Sequence, residues 1–152
     1  MRTIENIDAL SKLVGQELGT SSWMEIDQDR VNMFADATED HQWIHVDVER
    51  AKAESPFGGP VAHGFLTLSL LPPLKADVFK VEGVTTRVNY GLNKVRFMAP
   101  VLVGSRVRAR ITLKSIEPRG EGRYMVCNEI TIEIEGQDKP ACLIEGLTLY
   151  IL

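Results

Sequence analysis

The chain has little of what metal centres, redox sites and membrane anchors are made from. Its 152 residues include two cysteines and three histidines. Cys127 and Cys142 lack CxxC spacing and fall in strand-like segments, so they read as two reduced, packed thiols of a cytoplasmic protein. No HExxH pattern occurs. The longest apolar stretch, Phe65 to Leu71, is interrupted by Thr67 and Ser69 and then meets Pro72-Pro73. It falls well short of the ~20 residues that a membrane span needs. The N-terminal MRTIENIDALSKL has no signal-peptide core. There is no basic run, and 17 Lys+Arg against 21 Asp+Glu leave a net charge of −4, which argues against a nucleic-acid partner held by a cationic face. Internal repeats and low-complexity tracts are absent as well, which favours one domain over residues 1–152.

What is present is a chain with 44% hydrophobic residues and a sharp change of character midway. Ile4, Ile7, Leu10 and Val14 stand near helical spacing, and Gly15 supplies a stop, so residues 4–14 read as a helix. A strand over residues 18–26 follows. Asp27 then caps a helix that carries Val31, Phe34 and Ala35 on one face and runs to about Ala37. Residues 48–54 read as another short helix. The stretch SPFGGP, Ser55 to Pro60, is irregular and leads through Val61-Ala62-His63-Gly64 into FLTLSLL. Its apolar residues point nearly all round a helix, which predicts burial on most sides, and Pro72-Pro73 should break or kink that helix near Leu71 and leave it short.

The second half supplies the wrapping. Residues 84–98, 106–116, 123–135 and 141–152 are rich in Val, Ile, Thr and Tyr and are separated by Gly, Pro and Asp. RVRARITL and EITIEIE alternate charged with apolar residues, as strands with one wet face do. Short connections make neighbours antiparallel. The predicted architecture is α+β: a long curved antiparallel sheet wrapped around one apolar central helix.

The polar residues that stand out lie in ATEDHQWIHVD. One reading is a metal site, with His41 and His45 at i, i+4 and Asp40 or Asp47 completing the shell. A second is an acid/base pair of Asp40 with His45, able to bind one water molecule and move its protons near neutral pH. Five residues apart, the two diverge by roughly 140° on a helix and face opposite sides of a strand, so they converge only on a loop. In a third reading Asp40 merely caps a turn and His45 is a packed histidine. Farther on, His63-Gly64 precedes the apolar helix, and the free N–H groups of a first turn suit an oxyanion. A water-handling pair facing an oxyanion donor is the equipment for adding water across a conjugated carbonyl.

Phe34, Asp40, Ile44, His45 and Ala51 stand in register with the signature of the MaoC-like R-specific enoyl-CoA hydratases, which this chain resembles. That signature is an aromatic residue, small residues, Gly-Asp-x-Asn-Pro-aliphatic-His, and a small residue six positions on. His63-Gly64 matches the start of the family's central helix, and Lys94 to Val107 resembles its strand, turn and Gly-led next strand. Three positions depart: Glu39 stands for the motif glycine, Gln42 for the asparagine and Trp43 for the proline.

The resemblance implies a single hot-dog domain and a homodimer. It implies hydration of trans-2-enoyl-CoA with Asp40 and His45 as catalytic residues and with His63, Gly64 and Phe65 at the substrate, and it requires no metal or other cofactor. Asn89 to Asn93 are candidates for the pocket wall, with Gly91 read as a bulge. Arg87, Lys94, Arg96 and Arg106 are either contacts for CoA phosphates or solvated strand residues. The rival functions are a hot-dog thioesterase, which would carry a carboxylate on the central helix where residues 64–74 have none, and a non-catalytic acyl-thioester binder.

Overall fold

The computed structural model describes residues 1–152. A six-stranded antiparallel sheet is built on the path β2 (Glu17–Thr20), β6 (Arg106–Pro118), β7 (Arg123–Ile134), β8 (Cys142–Ile151) and β5 (Thr86–Phe97), with β3 (Met24–Glu25) also on β6. Its inner face carries Val107, Ala109, Ile111, Leu113, Ile130, Ile132 and Ile134, all buried, in the alternation that the sequence displays.

Against that face lies the central helix in two pieces, α5 (Gly64–Ser69) and α6 (Leu71–Val78). The break expected near Leu71 is found at Leu70, but the helix is not short, because it resumes through the prolines to Val78. Pro72 and Pro73 fall in the first turn of α6, where a missing N–H leaves nothing unpaired, and the chain only breaks stride at Leu70. Burial is also narrower than expected. Leu66, Leu70, Leu74 and Val78 form one buried stripe at four-residue spacing, whereas Phe65 is 67% exposed. One sheet covers one face of a helix, and the opposite face stays open.

The N-terminal helix is shorter than its periodicity suggests. Ile4 belongs to β1 (Arg2–Ile4), which pairs in parallel with β4 (Phe79–Val81), a strand absent from the sequence reading. Asn6 then caps α1 (Ile7–Ser11) by accepting the Ala9 N–H. The expected strand over 18–26 is split into β2 and β3 at Ser21, whose Oγ accepts the Ala109 N–H at 2.9 Å. Among the sheet strands β5 differs: nearly every residue is exposed, and one long edge has no partner strand. Its register shifts between Asn89 and Gly91, the bulge that the glycine suggested. Cys127 and Cys142 are free and buried, and burial raises both thiol pKa values, that of Cys142 to about 11. No helix is long and apolar enough to cross a membrane.

Candidate active site

Helix α2 (Gln28–Thr38) starts at Asp27, whose carboxylate accepts the Arg30 N–H at 2.8 Å, and buries Val31 and Ala35. It ends at Glu39, the one non-glycine residue with positive φ (62°). That left-handed residue turns the chain so that Asp40 leaves the helix axis, and the motif glycine stands at the position where a Cβ is least welcome. Asp40 Oδ1 receives the Gln42 N–H at a long 3.4 Å. Trp43 then opens a one-turn helix, α3 (Trp43–Val46), which the sequence reading left as loop. It is the first helical residue, preceded by an extended Gln42 (φ −55°, ψ 135°), and this is where a proline is at home. Arg50, on α4 (Val48–Glu54), stacks on the Trp43 ring at 4.2 Å.

His45, on α3, is buried and doubly held. Its Nδ1 lies 2.6 Å from the Val61 carbonyl, and its own carbonyl accepts from Gln28 Nε2 at 2.8 Å. A carbonyl only accepts, so Nδ1 carries the proton and Nε2 keeps its lone pair. Burial lowers the His45 pKa, with the Val61 contact and Asp40 pulling weakly the other way, so the imidazole is neutral at pH 7.

His63 is stacked on His45 with centroids 3.8 Å apart and has Phe34 tilted against it at 4.9 Å. Its Nε2 donates to the Asp40 carbonyl at 2.9 Å, which ties the Asp40 loop to the start of the central helix. His63 Nδ1 is buried without a partner. The segment between is fastened at both sides: Val61 N–H donates to Ile44, Ala62 N–H to Val101, and Val103 N–H to Pro60.

Asp40, His45 and His63 therefore gather, with one ligand-type atom from each inside 4.8 Å of the others. Asp40 is exposed, but its carboxylate and an imidazole nitrogen are one water apart: two hydrogen bonds of ~2.8 Å meeting near the tetrahedral angle span ~4.6 Å. The same trio suits a metal poorly. The two rings are stacked at 24°, so their in-plane lone pairs run side by side, whereas zinc needs nitrogens converging at ~2.0–2.1 Å. His41 is not in the group; it is exposed and paired with Asp36 at 2.9 Å. Asp47 is occupied as the cap of α4, accepting the Arg50 N–H.

Gly64 follows His63 as the first residue of α5, where its N–H has no helical acceptor. It borders an apolar cavity of about 350 Å³ shared with Ile44, Val61, Thr67 and Phe97, while Asp40 and His45 flank this cavity without lining it. A Cβ on Gly64 would meet three Phe97 ring atoms at 3.2 Å, so any larger residue requires the Phe97 ring to shift, whereas glycine leaves that approach open. Phe65 is not in the wall of this cavity but meets Phe97, which is, edge-on at 5.9 Å. A second cavity, of about 640 Å³, lies farther along the central helix against β5 and β8 and takes in Arg87, Asn89, Tyr90, Gly91 and Leu92. Lys75 also borders it, a residue that the sequence reading missed because a lysine in a helix is ordinarily solvated. Arg106 pairs with Glu135 at 3.2 Å, as a solvated strand residue does.

Comparison with known proteins agrees with this frame. A family model described as MaoC like domain matches residues 9–134. The chain is 52% identical over 151 residues to 3-hydroxyacyl-thioester dehydratase Z of Mycobacterium tuberculosis (strain ATCC 25618 / H37Rv), covering 99% of both chains. It is 51% identical over 137 residues to Nodulation protein N of Rhizobium meliloti (strain 1021), covering 90% of this chain and 85% of that one. The solved (R)-hydratase from A. caviae involved in PHA biosynthesis superposes with a TM-score of 0.69 at 23% identity, over 86% of this chain and 93% of that one. The α+β arrangement is the hot-dog fold of these structural neighbours. The chain belongs to the MaoC-like domain family, the MaoC-like dehydratases, which are hydro-lyases.

Proposed function

We propose that the chain catalyses the reversible hydration of trans-2-enoyl-CoA thioesters to R-3-hydroxyacyl-CoA. The observation that carries this reading is a buried, neutral His45, its Nδ1 proton held by the Val61 carbonyl, with a ring nitrogen within 4.8 Å of the Asp40 carboxylate, one water apart. The thioester carbonyl oxygen accepts from the Gly64 N–H, which favours the enolate that forms as the water oxygen bonds to C3. His45 Nε2 takes the proton from that water and returns it to C2 on the same face. Asp40 orients the water and favours the transient imidazolium. Water is added in sum, and the reverse sequence is dehydration. The names carried by relatives, 3-hydroxyacyl-thioester dehydratase Z and (R)-hydratase, support this substrate class. The step needs no metal or redox cofactor, and the thioester is the partner that the site requires, in the cytoplasm.

The assembly we propose is a homodimer formed through β5. Its outer edge is unpaired over 12 residues, and Val88, Tyr90, Leu92 and Phe97 are 42%, 64%, 44% and 47% exposed, an edge that would otherwise invite uncontrolled pairing.

A thioesterase is disfavoured by the central helix. Its one carboxylate, Asp77, accepts the Ser22 N–H at 2.6 Å, and thirteen residues of helix put it ~20 Å from Gly64. Crotonyl-CoA given to the purified protein separates the functions. Loss of the conjugated-enoyl absorbance without free thiol is the expected result. Thiol release would establish the thioesterase, and no change in either signal would leave a binder.

A further inference from the structure

Away from the Asp40–His45 pair, the fold holds a cation that no side chain neutralises. Lys75 projects from α6 toward β8 and is half-buried, and its Nζ donates to Thr148 Oγ1 at 3.0 Å. No carboxylate lies within ion-pair distance of it. An ammonium has three donors, and Thr148 takes one. Burial, with the nearby Arg87 adding to it, brings the Lys75 pKa down to about 8. Burying an uncompensated charge costs several kcal/mol, so such a lysine in a folded protein calls for an anion.

The cavity of about 640 Å³ that Lys75 borders has room for one and is within the usual range of ligand pockets. Its wall includes no Asp or Glu. Arg87 supplies a second cation: it stands opposite Tyr150 in the β5–β8 register, on the helix-facing side that Thr148 shares with Asn89. The remaining wall is mixed, with Leu68, Leu71, Leu92, Ile130 and Leu147 beside the polar Ser69, Asn89, Tyr90 and Thr148. Two cations at one place in a chamber that also carries five aliphatic side chains suit an amphiphile whose polar end is negative.

We propose that this cavity binds an aliphatic carboxylate, with the carboxylate on Lys75 and Arg87 and the chain along the leucines. Two sources share that chemistry: a free fatty-acid anion, or the distal end of the acyl group of a thioester. The second source rests on the hydration reading above. Eleven residues of helix separate Gly64 from Lys75, ~16 Å, so only an acyl group far longer than crotonyl reaches it.

The experiment has two arms. In the first, octanoate is titrated calorimetrically into the full-length wild type, Lys75→Met and Arg87→Met, with 1-octanol as the uncharged control. Octanoate is expected to bind the wild type at least tenfold more tightly than either variant, and octanol is expected not to discriminate among the three. Lys75→Met is also expected to melt no lower than wild type, because it removes a half-buried unpaired charge. Arg87→Met lies on β5, the strand of the proposed dimer, so its mass by light scattering accompanies the titration and separates loss of the dimer from loss of the cation. In the second arm, kcat/KM is compared for long enoyl-CoA substrates of equal length ending in a carboxylate or a methyl group. A carboxylate preference that shrinks at least tenfold in Lys75→Met identifies the acyl terminus as the occupant, whereas octanoate binding without that preference identifies the free anion. Crotonyl-CoA turnover by the wild type with neither octanoate binding nor a carboxylate preference overturns the proposal and leaves the hydration reading intact. If no thioester is turned over, the hydration reading falls and the octanoate titration alone decides this one.

Discussion

Replacing Glu39 by glycine tests whether the departure from the family motif carries a cost in this backbone. Glu39 closes α2 at φ 62°, ψ 18°, and forms no side-chain ion pair. A residue with a Cβ loses ~1–2 kcal/mol in the left-handed region, from which the extra freedom of glycine in the unfolded chain subtracts ~0.4–1 kcal/mol. The net expectation for Glu39→Gly is a gain of ~0.5–1 kcal/mol. For a chain of this length that is a rise in melting midpoint of ~1–4 °C. Glu39→Ala keeps the Cβ and separates backbone strain from any effect of removing the charge. The assay is thermal unfolding by circular dichroism at one fixed protein concentration, because association would otherwise move the midpoint. Glu39→Gly is expected above wild type and Glu39→Ala level with it or below. Equal midpoints for the two variants would refute the strain argument, since the loss of the carboxylate would then account for the whole change.

His45 has a lowered pKa in the folded protein against an ordinary value of ~6.5 in the unfolded chain, so between those two values the unfolded state holds more protons. Stability is therefore expected to decline as pH falls below ~6.5 and to level off beneath the folded pKa, and urea titrations of His45→Gln should show that slope diminished. The rate should fall only at lower pH, where the folded ring itself takes a proton and loses its lone pair for water; an acid limb centred at or above ~6.5 would contradict a buried, neutral His45 as the base. Light scattering should report about twice 17.0 kDa for the wild type, and a charge placed on the open edge, as in Val88→Asp, should shift the mass toward one chain; a wild-type monomer would exclude the β5 interface.

The periodicities that one element can impose by itself were readable in the sequence. The alternation in β6 and β7, the Asp27 cap of α2 and the bulge at Gly91 all depend on neighbours in the chain or on the pleat of a single sheet. What escaped depends on distant partners. Ile4 fits the helical pattern of Ile7 and Leu10, yet its parallel pairing with Val81, 77 residues away, holds it extended. Pro72 and Pro73 look like a break that leaves the helix short until Leu70 ends one helix and starts the next, which puts both prolines where their missing N–H groups cost nothing. At the site, the sequence placed Asp40 and His45 together but not the means: His45 rides a one-turn helix and its ring is fixed by the Val61 carbonyl, and His63, read as a substrate contact, also pins the Asp40 carbonyl. The motif positions occupied here by Glu39 and Trp43 acquire their physical meaning only from φ and from the first turn of α3.

The most direct measurement is the initial rate of crotonyl-CoA hydration by Asp40→Asn and His45→Gln beside the wild type, with circular dichroism confirming that all three are folded. Each variant keeps the approximate size of the original side chain, while His45→Gln removes the base that carries the proton and Asp40→Asn the charge that orients the water and favours the imidazolium. A loss of ~10²–10⁴-fold in kcat is expected for both. Turnover near that of wild type in either folded variant would contradict the claim that His45 takes the proton of an attacking water that Asp40 orients.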